Sequence, residues 1–343
     1  MRRQGSLYLL AIILVALGCS ESMPTAVDVN LKASPKALAH EPPLVQHIIS
    51  PKATDPHIDV ALEDHLVWLD PTQQPHPRLF VFFHSASSRP ANVQLVPMEA
   101  ARLGYHVISL RHPSGPPGVG AICTQFTDRE ELESCYENIR LQTLDGVVRS
   151  DLISVNPPNS IYNRLTKLLE YLAAHFPEEG WSQFLTDGAP LWSHIAVAGI
   201  SAGGGYAALI AKLHEVARVV MISSPTDGLI DLDDGARMVE IGATPPDRHY
   251  GLAHQQEFPI RPIRANWNKL GLDVFGPPVV PETSAPPYSG THMLLTNLPP
   301  SRGVLDPNSA HCLTANDRCT PLAADGTPAL RDAWRYISGQ PGK

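Results

Sequence analysis

Residues 197–213, VAGISAGGGYAALIAKL, set a serine between two glycines, directly after an apolar run and directly before a helix-like one. An apolar run with no polar alternation reads as a strand buried on both faces. Only a sharp turn joins such a strand to a helix at once, and the small residues around Ser201 let the backbone pack that tightly. A strand buried on both faces needs neighbours beside it and helices above and below, so this one stretch points to a parallel sheet in an α/β chain.

The rest of the chain keeps that rhythm. Residues 57–70 read as paired strands, 78–83 (RLFVFF) as a buried strand, 92–104 as a helix ending at Gly104 and 105–110 as the next strand. A helix capped by Asn159 or Ser160 follows, with Ile161, Leu165, Leu168, Leu169 and Leu172 on one face. Strands at 194–200, 217–223, 249–254 and 292–298 then alternate with helices from Ala202, over 263–272 and over 328–337. The expectation is one domain over 57–338, a mostly parallel central sheet with helices on both faces. The 34 prolines of the full chain mostly punctuate loops.

The first twenty residues have a different logic. Arg2 and Arg3, an apolar stretch from Leu7 to Leu17, then small residues and Cys19 have the order of a secretory signal, and the stretch is short for a membrane span. Residues 16–19 (ALGC) look like the lipobox of bacterial lipoproteins, which implies cleavage after residue 18 and a lipid on Cys19. Residues 19–56, rich in Ser, Pro, Ala and Lys, read as a tether holding an exported domain to a membrane. Simple secretion is the alternative. Export agrees with the cysteines: beyond Cys19, four remain in two local pairs, Cys123/Cys135 and Cys312/Cys319, expected as two disulfides, with crossed pairings formally open. A net charge of −8 and the lack of a basic run outside the extreme N-terminus offer nothing to nucleic acid.

Gly199-Ile200-Ser201-Ala202-Gly203 is also G-x-S-x-G, in the strand-turn-helix setting that gives that pattern chemical meaning. The turn lifts the serine Oγ above the sheet edge, and the N–H of Ala202, at the helix start, can donate to an oxyanion. A glycine-rich turn without chemistry is the alternative. Over roughly residues 57–338 the chain resembles the α/β-hydrolase superfamily, most specifically in AVAGISAGGG. Other phrases, among them CYENIRLQTLDG and PPYSGTHMLLT, look like a group of exported bacterial hydrolase-like proteins of unassigned activity.

The superfamily's chain order, serine then acid then histidine, implies an acid after the seventh strand and a histidine after the eighth. Glu257 is the first candidate acid; Asp227, just after the sixth strand, is the second. His311, in the loop beside Cys312, is the first candidate base, and His292, at the mouth of the eighth strand, the second. The resemblance places the second oxyanion donor after the third strand, where FFHSASSRP departs from the usual glycine-rich loop and leaves Ser85, Ala86 or Ser87. No metal or cofactor is expected: there is no H-E-x-x-H, no C-x-x-C, no phosphate-loop lysine and no dinucleotide fingerprint.

These features imply an exported serine hydrolase acting on a small-molecule or acyl-ester substrate through an acyl-enzyme. A non-catalytic surface lipoprotein that uses the fold for binding is the alternative, and transfer to an acceptor other than water uses the same residues. Loops 111–160 and 273–291 are expected to wall the pocket.

Overall fold

The computed structural model describes residues 42–228, 234–301 and 306–339. The expected signal segment 1–18 and Cys19 lie outside them.

Eight strands form one sheet: β1 (Val45–Ile49), β2 (His65–Leu69), β3 (Leu79–Phe83), β4 (His106–Leu110), β5 (Ile195–Ile200), β6 (Arg218–Ile222), β7 (His249–His254) and β8 (Met293–Thr296). Their spatial order is β1-β2-β4-β3-β5-β6-β7-β8. β2 runs antiparallel to both β1 and β4, and every other pairing is parallel.

Alternation along the strands divides the core in two. Val81, Ile108, Val197 and Met221 point to one face, covered by α4 (Arg129–Asp145), α5 (Ile161–His175), α6 (Ala202–Leu213) and α7 (Ile260–Lys269). Phe80, Phe82, Ala198 and Ile222 point to the other, under α2 (Leu95–Ala101) and α9 (Arg331–Ser338). α5 matches its apolar pattern: Ser160 caps it by accepting from the Asn163 N–H at 3.2 Å, and all five predicted residues are fully buried. β3, β4 and β5 are buried at every position, and burying both faces is what makes β3 and β5 apolar throughout, while β4 admits the polar His106 and Ser109.

Three expectations change. Residues 57–70 do not form two paired strands; only 65–69 is a strand, and it pairs with β1 and β4. The folded domain therefore begins before residue 57: β1 and the short α1 (Pro51–Thr54) lie inside the stretch read as tether. The reason is alternation, since Val45, His47 and Ile49 turn inward while Gln46 and Ile48 stay exposed, the pattern of an edge strand with one wet face. Loop 111–160 is largely helical, containing α3 (Val119–Cys123) and the seventeen-residue α4.

The expected cysteine pairs are both at bonding distance. Cys123 and Cys135 have Cα atoms 5.7 Å apart, tying α3 to α4. Cys312 and Cys319, also 5.7 Å apart, close the end of α8 (Pro307–Leu313) onto the segment after it.

Candidate active site

β5 ends at Ile200 and α6 begins at Ala202, so Ser201 alone makes the turn. It adopts φ 54°, ψ −120°, a conformation that an L-residue holds only under constraint. Its N–H donates to the Ile222 carbonyl at 2.9 Å, and its own carbonyl accepts from the Gly205 N–H at 3.2 Å, which pins the turn to β6 and to the helix.

The surrounding glycines are there because nothing larger fits. A Cβ on Gly203 would lie 2.1 Å from the Phe83 carbonyl oxygen, and one on Gly204 would lie 1.7 Å from the Ser224 Oγ. On Gly199 it would meet the Gly203 backbone at 2.4 Å, so strand and helix could not cross so closely.

A strained serine between a parallel strand and its helix, in a sheet of order 1-2-4-3-5-6-7-8 with an antiparallel second strand, settles the architecture. The fold is that of the α/β-hydrolases. No family model matches the chain, and no curated protein does. Among solved structures it is similar to a bacterial heroin esterase (14% identity over 88% of this chain and 86% of that one, TM-score 0.40). It is also similar to carboxyl esterase 2 of the fungus Tuber melanosporum (10% identity, 87% of each chain, TM-score 0.39). A thermostable carboxylesterase from a metagenomic library shows 12% identity over 76% of this chain and 80% of that one, with a TM-score of 0.35. Likenesses this distant say nothing about what the chain acts on; the chemistry follows from the site itself.

His311 lies on α8 rather than in an open loop, and it lines one cavity with Ser201. Its Nδ1 donates to Glu257 Oε2. Glu257 sits in the loop after β7, its side chain fully buried, and its other oxygen accepts from the His254 N–H at 2.8 Å and the Ser223 hydroxyl at 3.0 Å. The Ser223 Oγ also lies 2.8 Å from the Thr314 Oγ1, at the C-terminal end of α8. The carboxylate is thus held from three elements, and with a proton on Nδ1 the imidazole leaves Nε2 as a lone-pair base. Ser223 and Thr314 carry no sequence signal; only the meeting of β6, β7 and α8 reveals them.

The two alternatives have other partners. Asp227 is fully buried in a two-point ion pair with Arg140, Oδ1 to Nε at 2.6 Å and Oδ2 to Nη2 at 2.9 Å. Burial alone would lower the Arg140 pKa, but Asp227, together with Tyr206 and Tyr136, outweighs it and holds the guanidinium above its ordinary value. Arg140 Nη1 further donates to the Ala202 carbonyl at 2.9 Å, and Gly205 is a glycine because a Cβ there would lie 2.5 Å from the guanidinium. The pair props the first turn of α6 from below, a role that sequence reading missed.

His292 precedes β8, at the opposite edge of the parallel sheet from Ser201, which follows the end of β5. It is stacked between Tyr250 and Phe275, and its Nδ1 donates to the His249 carbonyl at 2.9 Å.

After β3 the chain turns beneath a buried imidazole. His84 Nδ1 donates to the Ser85 carbonyl at 2.9 Å, and its Nε2 accepts from Arg111 Nη1 at 3.2 Å. In a trans peptide, fixing the Ser85 carbonyl fixes the direction of the Ala86 N–H as well. The Ser87 N–H is taken by the Ser114 carbonyl, whereas the amides of Ser85, Ala86 and Ala202 have no partner among the described residues, and of these three only Ala86 and Ala202 line a cavity. Both residues line a second cavity beside the elbow.

Of the predicted pocket walls, segment 111–160 lines both cavities and 273–291 lines neither. The latter packs instead along β8, where Val279 bridges Leu294.

Proposed function

We propose that the protein is an exported serine hydrolase acting on carboxylic esters. The observation that carries this reading is a strained serine sharing one cavity with a histidine whose far nitrogen is tied to a buried, otherwise satisfied carboxylate.

His311 Nε2 takes the Ser201 proton while Oγ bonds to the ester carbonyl carbon, and the carbonyl π pair moves onto oxygen. The Ala202 and Ala86 amides donate to that oxyanion. As the carbonyl reforms, the C–O bond to the alcohol breaks and the imidazolium returns its proton to the departing oxygen. Water then repeats the sequence on the acyl-enzyme and releases the acid. Glu257 stays ionised throughout and stabilises the imidazolium. Two disulfide-distance pairs support an oxidising compartment, and with the N-terminal pattern we extend the proposal to lipid anchoring at Cys19.

A fluorophosphonate reacts only with an activated serine. Labelling of the disulfide-intact protein is expected, lost in Ser201→Ala and His311→Ala and retained in His292→Ala. A folded protein that takes no label overturns this reading in favour of a binding lipoprotein.

A further inference from the structure

The space around Ser201 is divided. A cavity of about 590 Å³ is lined by Ser201, His311, Tyr136 and Phe258. A second, of about 230 Å³, is lined by Ala86 and Ala202 together with Ile122, Leu152, Val155 and Tyr206. α3 stands between them: Val119 and Ile122 line the smaller cavity, Gly120 and Thr124 the larger. This wall is held at both ends. A Cβ on its N-cap Gly118 would lie 2.8 Å from the Ala86 Cβ, and Cys123 at its last turn is paired with Cys135 on α4.

The chemistry of acyl transfer assigns the two spaces. The tetrahedral carbon carries Ser201 Oγ, the oxyanion, the departing alkoxy group and the acyl chain. The alkoxy oxygen must reach the proton on His311, so the alcohol belongs in the cavity His311 lines. With the oxyanion at the Ala86 and Ala202 amides, the remaining substituent points to the cavity those two residues line.

We propose that the smaller cavity is the acyl compartment and the larger the alcohol compartment, so that the substrates are esters of short, uncharged carboxylic acids with larger uncharged alcohols. This rests on Ser201 and His311 being nucleophile and base. A dry cavity of about 150 Å³ takes one benzene ring, so the smaller space admits an acyl group of roughly six carbons and no long chain. No Asp, Glu, Lys or Arg among the described residues lines either cavity, so among those residues a charged acyl group or alcohol finds no ion-pair partner.

The test is a series of 4-nitrophenyl esters from acetate to decanoate, with a parallel series of acetates of increasingly bulky alcohols. In the wild type, kcat/KM is expected to fall by at least about tenfold beyond roughly six acyl carbons. Ile122→Trp moves the cut-off to shorter chains and Ile122→Ala to longer ones. Phe258→Ala leaves the acyl cut-off in place and changes the alcohol preference. Ser201-dependent acetate hydrolysis with a flat acyl profile, or with a cut-off that follows Phe258 and ignores Ile122, overturns the compartments alone. Absence of both hydrolysis and fluorophosphonate labelling overturns the hydrolase reading and the compartments with it.

Discussion

Glu257 and Asp227 are both buried carboxylates close in sequence to the strand ends that frame the site, and they differ in who holds them. Glu257 is satisfied by an amide, a hydroxyl and an imidazole, Asp227 by a guanidinium. Their isosteric amides should therefore fail in opposite ways. Asp227→Asn leaves the Arg140 charge uncompensated in the core, which costs about 3–5 kcal/mol of stability; the folded fraction should still take a fluorophosphonate. Glu257→Gln should unfold near the wild-type midpoint and label far more slowly, because the histidine loses the charge that steadies its imidazolium. Urea midpoints and labelling rates measured together separate the two, and a stable Asp227→Asn that no longer labels would reverse their roles. Chain order could nominate both acids. It could not choose, because the choosing partner, Arg140, lies 87 positions from Asp227 in the chain. Gly204→Ala belongs to the same scale: with a Cβ 1.7 Å from the Ser224 Oγ, either that side chain turns away or α6 lifts off the sheet. A lower melting temperature than wild type and slower labelling are expected, and an unchanged variant would show that the elbow has slack.

At the scale of elements, the parallel strands and the long amphipathic helix were legible because each is decided by its own residues. β3 to β8 fall where their apolar runs predict, within a residue or two. β1 was not, since a half-buried edge strand of five residues alternates too briefly to stand out until β2 is there to pair with it. α4 is hidden for a different reason: its buried side mixes Leu132, Tyr136 and Ile139 with Glu133, Arg140, Gln142 and Thr143, so no apolar period stands out. α8 carries His311 on barely two turns and relies on its capping box at Asp306 and on the Cys312–Cys319 pair. For a bridge spanning 7 residues, loop-closure entropy amounts to about 2 kcal/mol. Replacing both cysteines by serine should lower stability by that order and reduce kcat more than it changes KM for small esters, because α8 carries the proposed base His311 while the smaller cavity is lined without α8. A double variant with wild-type kcat would show that Ser223, Thr314 and Glu257 hold α8 without the bridge.

The whole molecule carries a pH signature. His65, His84 and His112 cluster behind the loop that follows β3, with Arg111, and the His84 and His112 rings stack at 4.0 Å. Burial, reinforced by nearby arginines, pushes His84 from 6.5 down to about 3 and holds His65 and His112 well below their ordinary value. Unfolding releases these groups to take up protons, so the stability they contribute is complete above pH 6.5 and is lost as pH falls from there toward 3. The urea midpoint should be level above neutrality and decline steadily below about pH 6.5, with a shallower decline in His84→Gln. A wild-type midpoint unchanged between neutrality and pH 4.5 would contradict the burial of this cluster.

Local order determined much of this protein from the sequence by itself. A buried strand, a serine flanked by glycines and a helix must form a tight turn, and two cysteine pairs 12 and 7 residues apart need little help to meet. The tertiary structure alone decided the partners: which carboxylate reaches which cation, which amides are left to donate, and how α3 divides the space beside Ser201. Those outcomes depend on residues brought together from distant parts of the chain, and a periodicity or a motif contains only its own neighbourhood.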